Sequence, residues 1–316
     1  MKVLVTGAYG FVGTNLCRHL VEKGNECHAL DVPAARRSDL PYVAFHVWDE
    51  LDKLPDFDAV VHLAGKAHDL KKVSSARSYF DVNVGLTQKI FRAVQGKVGR
   101  FIYFSSSKAA DAEKMGECSN ERFDELLKKH PDVTPYALSK YLSEQYLLSF
   151  KPETLNFKPI ILRPAMIHGP GNKGNLNLLW GIARRGFPWP LAAFENRRSF
   201  TAIGNVCAAV AELCARGEGG VYPIADDEMV STNRLIELMA ETCGRKARLW
   251  RLPKGLMRLA ARVGDFLPLP LNTERLGKLT EDSFVDNSLL KKALGWDLMP
   301  IRAEDGFRTT LETFKV

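Results

Sequence analysis

Tyr136 and Lys140 stand four residues apart in Tyr-Ala-Leu-Ser-Lys. On a helix this spacing sets a phenol and an ammonium on one face. The cation favours the ionised phenol, so Tyr136 can take a proton from an alcohol near neutral pH. An alcohol carbon that gives up hydride needs such a base. Alone, the spacing is common by chance and reads more readily as a surface tyrosine beside a solvated lysine. It gains weight from Ser105, Ser106 and Ser107, which end the preceding strand-like run, and from the opening of the chain. There, Gly7, Gly10 and Gly13 follow the apolar run Val3-Leu4-Val5 and lead into a helical pattern carrying Val12, Leu16 and Leu20. A second strand-like run, 27–30, ends at Asp31. Strand, glycine turn, helix, strand and acid is the arrangement that holds a dinucleotide. Gly7 permits the tight turn, Gly10 lets backbone N–H groups approach a pyrophosphate, and Gly13 lets the helix pack on the strand. The helix N-terminus favours the negative charge, and Asp31 would accept hydrogen bonds from the adenosine ribose.

The elements that must position these groups alternate along the chain. Strands are expected at 42–47, 59–63, 101–104 and 160–162, with helices at 76–95 and 136–150 and a polar, looped or partly helical insertion at 108–133. This is the pattern of an α/β fold, a Rossmann-like doubly wound parallel sheet whose ligands lie beyond the carboxyl ends of its strands. After Pro164 the texture changes. A glycine-rich loop at 168–174, a helix at 175–185 and a breaker-rich segment at 186–190 precede a strand at 197–203 and a helix at 205–215. Further strands are expected at 221–224 and 249–252, and helices at 232–242, 256–263, 288–294 and 303–314. The expected division is a dinucleotide-binding domain, 1–163 plus about 197–216, with a smaller, interleaved C-terminal substrate lobe, about 164–196 and 217–316. The apolar stretch 256–271, broken by Pro268 and Pro270, is expected to be buried in that lobe rather than to touch a membrane surface.

Composition excludes several classes. The 316 residues are 46% hydrophobic and 26% charged, as in a globular protein. No run approaches the roughly 20 apolar residues that span a bilayer, so no stable membrane insertion is expected. Six scattered cysteines without a CxxC pattern indicate neither a disulfide framework nor a zinc site. With the first strand starting directly after Met1, the expected setting is cytoplasmic. The net charge of +7 is dispersed and lacks interleaved aromatics, so no nucleic-acid partner is expected.

Taken together, the motifs resemble those of the extended short-chain dehydrogenase/reductase family, which contains nucleotide-sugar epimerases, dehydratases and reductases. The likeness rests on GAYGFVG at 7–13, HLAG at 62–65, DVNVGLT at 81–87, SSS at 105–107, YALSK at 136–140 and LRPAMIHGPG at 162–171. It implies that Gly7, Tyr9, Gly10, Phe11, Val12 and Gly13 cradle the cofactor. Asp31 and Arg36 would meet the adenosine ribose, Asp49 the adenine, and Leu63, Ala64 and Gly65 would line the cleft. Tyr136 would be the base, Lys140 would also bind the nicotinamide ribose, and Asn83 would support a water network near the lysine. Aligning the strand end selects Ser107 as the catalytic hydroxyl, with Ser106 the alternative. The chain departs from the family at Lys108-Ala-Ala-Asp111 and at His168, where a tyrosine is frequent.

The same resemblance places diphosphate or sugar ligands at Asn175, at Arg198 within Asn-Arg-Arg-Ser-Phe, and at Arg275; an arginine's fixed donors suit phosphate oxygens. The substrate it implies is a UDP-linked hexose or N-acetylhexosamine. Two chemistries remain open: a 4-epimerase with bound NAD, and an NAD(P)H-dependent 4-keto reductase acting in surface polysaccharide synthesis. Asp31 favours NAD, while Arg36 and Arg37 keep NADP open. A non-catalytic dinucleotide-binding regulator is the alternative of another class, and a homodimer is what the family suggests.

Overall fold

The computed structural model describes residues 1–67, 75–116, 118, 122–150, 156–172, 176–267 and 271–315. In chain order, the first part runs β1 (Lys2–Thr6), α1 (Phe11–Glu22), β2 (Glu26–Leu30), β3 (Ala44–His46), β4 (Phe57–His62), α2 (Ala76–Val94), β5 (Val98–Phe104), α3 (Ala109–Glu113), α4 (Phe123–Lys129), α5 (Pro135–Leu148) and β6 (Ile160–Pro164). The remainder runs β7 (Met166–His168), α6 (Leu176–Ala183), β8 (Phe200–Ala202), α7 (Ile203–Arg216), β9 (Gly220–Ile224), α8 (Thr232–Thr242), α9 (Lys254–Phe266), α10 (Thr273–Thr280), α11 (Ser288–Leu294) and α12 (Ala303–Glu312).

Seven strands form one parallel sheet in the order β3-β2-β1-β4-β5-β6-β9. Because the strands are buried on both faces, they read as nearly continuous apolar runs, as Val3, Leu4 and Val5 do. Strand order reverses between β1 and β4, where Thr6 lies opposite His62. The crevice beyond those two strand ends is where such a fold takes its ligand. Phe91 on α2 is fully buried, edge-on to Phe101 of β5 at 5.1 Å and tilted against Phe150 at 4.9 Å, which fixes the helix layer to the sheet. Burying a ring of this kind stabilises by roughly 1.5–3 kcal/mol.

The chain divides into two compact units: 1–165, 205–224 and 287–298 form one, and 166–204, 225–286 and 299–316 the other. Pairing of Ile160 with Gly220 brings β9 into the sheet, and with it the segment that carries α11; both lie beyond the boundary expected at 217. In the second unit, β7 pairs with β8 and takes in His168, the first residue of the loop expected at 168–174. Residues 249–252 make isolated bridges, Trp189 to Leu249 and Leu191 to Arg251, in place of the expected strand. The stretch from 256 also departs from expectation. Only Met257, Ala261 and Gly264 of α9 are buried, while Leu256, Leu259, Val263, Phe266 and Leu267 face outward. Among the described residues, no helix is long and apolar enough to cross a membrane.

Candidate active site

The first half of the site is the turn between β1 and α1. Gly7 has φ +69°, and a Cβ there would come within 2.8 Å of the Ala64 backbone nitrogen, so glycine lets the two strand ends meet. A Cβ on Gly13 would approach the Gly7 carbonyl oxygen to 2.3 Å, so α1 rests directly on its own turn. Helix α1 opens at Gly10 with no side-chain cap, which leaves first-turn N–H groups, those of Phe11, Val12 and Gly13, for an anion. Asp31, at the end of β2, accepts hydrogen bonds from the backbone N–H groups of Tyr9 at 3.0 Å and Val32 at 2.8 Å. Its carboxylate therefore braces the glycine turn, and its remaining lone pairs are free to meet a ribose. Asp49 is exposed in the turn beyond β3. The glycine turn, bare helix end and strand-end acid fit a dinucleotide.

Arg36 and Arg37 take different positions. The Arg36 Nε donates to the Tyr42 hydroxyl at 3.3 Å, and its guanidinium lies 5.3 Å over the Phe45 ring. Arg37 turns to the glycine turn instead: it donates to Thr14 Oγ1 at 3.2 Å and covers the Tyr9 ring at 5.3 Å. Arg37 is thus the arginine set beside α1's first turns.

The opposite wall, Leu63-Ala64-Gly65, is held by a directional chain of buried hydrogen bonds. The Ala64 N–H donates to Thr6 Oγ1 at 3.2 Å, and Thr6 Oγ1 meets His62 Nδ1 at 2.7 Å. His62 Nε2 meets Thr87 Oγ1 at 3.1 Å, and that hydroxyl donates to the Asn83 carbonyl at 2.7 Å. With the Thr87 proton committed, Nε2 must be the donor and Nδ1 the acceptor. Burial, with the charge of Lys140 added, pushes His62 down to about 3, so the ring stays neutral and the chain keeps its direction. Asn83 Oδ1 accepts from the Lys66 N–H at 2.7 Å, and Nδ2 donates to the Lys66 carbonyl at 3.1 Å and to Ser139 Oγ at 2.8 Å. These protein partners make Asn83 a brace between the cleft wall, α2 and α5, a role different from the water support that the resemblance implies.

Helix α5 begins at Thr134, whose hydroxyl accepts the Ala137 N–H at 3.1 Å, with Pro135 in the first turn. In that same first turn stands Tyr136, whose phenol lies near enough to Ser106 for that side chain to pull its pKa down, and whose ring meets Tyr79 edge-on at 6.3 Å. Of the two candidate serines, Ser106 is the one whose side chain acts on the phenol. The backbone explains it: the Ser107 N–H donates to the Pro164 carbonyl on β6 at 3.0 Å, and the chain then turns into α3. Lys140 is buried and donates to the Phe104 carbonyl at 2.7 Å, with Nζ 4.8 Å from the Tyr103 ring centroid. A Cβ on Gly65 would lie 3.5 Å from this ammonium, which fixes Lys140 beneath the cleft wall. Burial pushes Lys140 down to about 8, opposed by Glu144. Burial also raises the Tyr136 phenol above its ordinary value, Ser106 pulling the other way. Desolvation, and not the lowering expected from Lys140, sets the direction of the phenol.

Three groups escaped the reading of motifs. Tyr79 and Lys66 pack together at 5.3 Å beside Tyr136, a pairing that no spacing on one element reveals. Glu144, one turn after Lys140, is fully buried and gripped by Arg163 through contacts of 3.0 and 3.2 Å to Nε and 2.5 Å to Nη2. A carboxylate four residues after a helical lysine was the available signal.

In the second unit, Arg198 donates to the Lys278 carbonyl, while its buried Nε has no hydrogen-bond partner among the described residues. Burial lowers its pKa. A desolvated guanidinium with an unused donor is suited to a phosphate oxygen. Arg275 is exposed in the first turn of α10, and Asn175 lies outside the described residues. His168 is fully buried, stacked on Phe307 at 3.8 Å, with Nδ1 2.9 Å from Thr310 Oγ1, so it serves the packing of this unit.

A parallel α/β sheet with a dinucleotide cradle at its switch point and a tyrosine–lysine helix beside it defines a class, and the sequence match agrees. Residues 3–225 match the NAD dependent epimerase/dehydratase family, and the chain belongs to that family. It is 28% identical to UDP-glucose 4-epimerase of Vibrio cholerae across 99% of this chain and 95% of that protein. It is also 28% identical to GDP-6-deoxy-D-mannose reductase of Pseudomonas aeruginosa, across 83% of this chain and 86% of the relative. Its fold is that of the Bordetella bronchiseptica enzyme WbmF in complex with NAD+ and UDP, with a TM-score of 0.72 at 22% identity, covering 99% of this chain and 92% of that one.

Proposed function

We propose that this chain interconverts the C4 epimers of a UDP-linked hexose or N-acetylhexosamine, retaining NAD through the cycle. The observation that carries the reading is Tyr136 on the same helix as the buried Lys140, one turn before it, with Ser106 acting on the phenol. Ser106 donates to the C4 oxygen and holds it, while Tyr136 removes the hydroxyl proton and later returns it. The Lys140 ammonium would stabilise the phenolate and would be the group to hold the nicotinamide ribose of a bound cofactor. NAD, when bound on Gly7, Gly10, Gly13 and Asp31, supplies the hydride acceptor and a positive charge that offsets the cost of ionising a buried phenol. Loss of the C4 hydrogen and the hydroxyl proton gives a 4-keto sugar, and their return to the other face gives the epimer. Arg198 supports the reading as a diphosphate ligand, with Arg275 and Asn175 completing the proposed grip.

A second reading, an NADPH-dependent 4-keto reductase, has its own support. A phenol whose pKa is raised is already a proton donor, and Arg37 beside the glycine turn suits a 2′-phosphate. Incubating the protein with UDP-hexoses and UDP-N-acetylhexosamines without added cofactor tests the choice by proton NMR at C4. Interconversion supports the epimerase. Its absence, with NADPH consumed on a 4-keto sugar, selects the reductase, and failure of both leaves the regulator.

A further inference from the structure

Helix α9 turns only a thin stripe inward. Its buried residues are Met257, Ala261 and Gly264, and a Cβ on Gly264 would collide with the Leu271 carbonyl oxygen at 1.8 Å. The helix is therefore pressed against its neighbour along small residues. Its outward side carries Leu256, Leu259, Val263 and Phe266, followed by Leu267, with exposures of 43–90%. At about 100° per residue these side chains share one arc of roughly 100°. An ordinary surface helix turns this arc to the core and its polar face to water.

The charge that the helix itself sets beside the stripe is mainly basic, although Glu195, Glu281 and Asp282 line the same groove as the cationic row. Lys254, Arg258 and Arg262, four residues apart, form a row between the exposed apolar arc and the buried stripe. Neither Arg258 nor Arg262 has an ion-pair partner among the described residues. The helix's own acid, Asp265, is occupied by Thr273, which donates its N–H at 2.9 Å and its hydroxyl at 2.6 Å. Residues 245–267 hold seven lysines and arginines against that one acid. Trp250, half exposed, precedes the helix, and tryptophan prefers the membrane–water interface.

We propose that α9 is an interfacial anchor that lays the protein on an anionic lipid bilayer. Leu256, Leu259, Val263 and Phe266 enter the boundary between headgroups and acyl chains, and the cationic row meets the lipid phosphates. Such a helix lies in the interface plane and binds by apolar area together with attraction to anionic headgroups. The basic excess that matches this surface would repel a second copy of the same segment.

Vesicle flotation with the full chain tests the proposal. Binding is expected to vesicles of phosphatidylcholine with about 30% phosphatidylglycerol, to fade when salt rises from about 0.05 to 0.5 M, and to be absent on phosphatidylcholine alone. The double variant Leu259→Glu/Phe266→Glu should abolish it. Arg258→Ala/Arg262→Ala should weaken it roughly thirtyfold, the combined loss of two headgroup contacts. All four positions are solvent-facing, so thermal unfolding should match the parent. Failure of the parent to float with anionic vesicles overturns the proposal, as does equal flotation of both variants. A dimer in light scattering that Leu259→Glu/Phe266→Glu dissolves would assign the stripe to a second copy.

Discussion

Replacing Glu144 with glutamine tests whether Lys140 is tuned from beneath. The Glu144 side chain is wholly inaccessible and that of Arg163 is 10% exposed, so the pair sits where water cannot replace a lost partner. Removing one member of a buried, hydrogen-bonded ion pair costs about 3–5 kcal/mol. Two features reduce that here. The glutamine amide would keep one acceptor for the guanidinium, and Arg163 retains Glu113 at 2.7 Å, a partner 54% exposed and so partly screened. A loss of about 2–4 kcal/mol follows, read as a Tm lower by roughly 3–6 °C for a chain of this size. The second effect is on the reaction. Lys140 is held near 8 by burial, and Glu144 is the charge that keeps it from falling further. If the ammonium is the working form, activity declines as pH rises through about 8, and the decline should begin at lower pH in Glu144→Gln. Glu144→Asp should restore the position of that limb in part. Thermal unfolding and a pH–rate profile measured together separate the two effects. An unchanged Tm, or an alkaline limb that stays in place in a folded variant, would refute the coupling.

Other outcomes follow from the site. Tyr136→Phe should lower turnover by about 10²–10⁴ while leaving NAD binding intact, checked by steady-state kinetics and cofactor titration. Ser106→Ala should cost more activity than Ser107→Ala, because Ser106 is the serine whose side chain acts on the Tyr136 phenol; the reverse order restores Ser107. Gly13→Ala should weaken NAD binding at least tenfold by calorimetry, since the added Cβ meets the Gly7 oxygen at 2.3 Å and both sides of that contact are backbone. Arg37→Ala should weaken NADPH more than NADH in fluorescence titrations if the 2′-phosphate reading holds, and leave both unchanged if Arg37 serves only Tyr9 and Thr14.

The glycine turn, the parallel sheet and the tyrosine–lysine helix were legible because each is written in contiguous residues at a fixed period. Gly7, Gly10 and Gly13 belong to one turn, and Tyr136 and Lys140 to one helix face. What escaped is carried by residues distant in sequence. Thr6, His62 and Thr87 make one hydrogen-bond chain from β1, β4 and α2, and no local pattern joins them. The preference for Ser106 over Ser107 depends on where the chain leaves β5, a place fixed by the bond from the Ser107 N–H to the Pro164 carbonyl. Hydrophobic periodicity misplaced α9 for a related reason. A period of 3.6 shows that a helix has an apolar face, but which neighbour covers that face is a tertiary fact, and Gly264 pressed on Leu271 settles it by turning the larger side chains outward.

The same contrast bears on the chemistry. Lys140 and Tyr136 were read as a cation lowering a phenol, an argument that holds at fixed dielectric. The folded chain changes the dielectric as well as the distance: burial raises the phenol and lowers the ammonium together, so each moves toward its neutral form. Near neutral pH Lys140 still carries most of its charge, while the phenol stays neutral and awaits further charge from the ligands. The phenol then ionises only when positive charge joins Lys140 at this end of the cleft. Proton removal would thereby be confined to the complex holding oxidised cofactor and alcohol, while the protonated phenol stands ready to donate when a ketone is bound with reduced cofactor. A residue pair tuned in this way serves both half-reactions that an epimerase must perform in turn, and either half alone would suffice for a reductase.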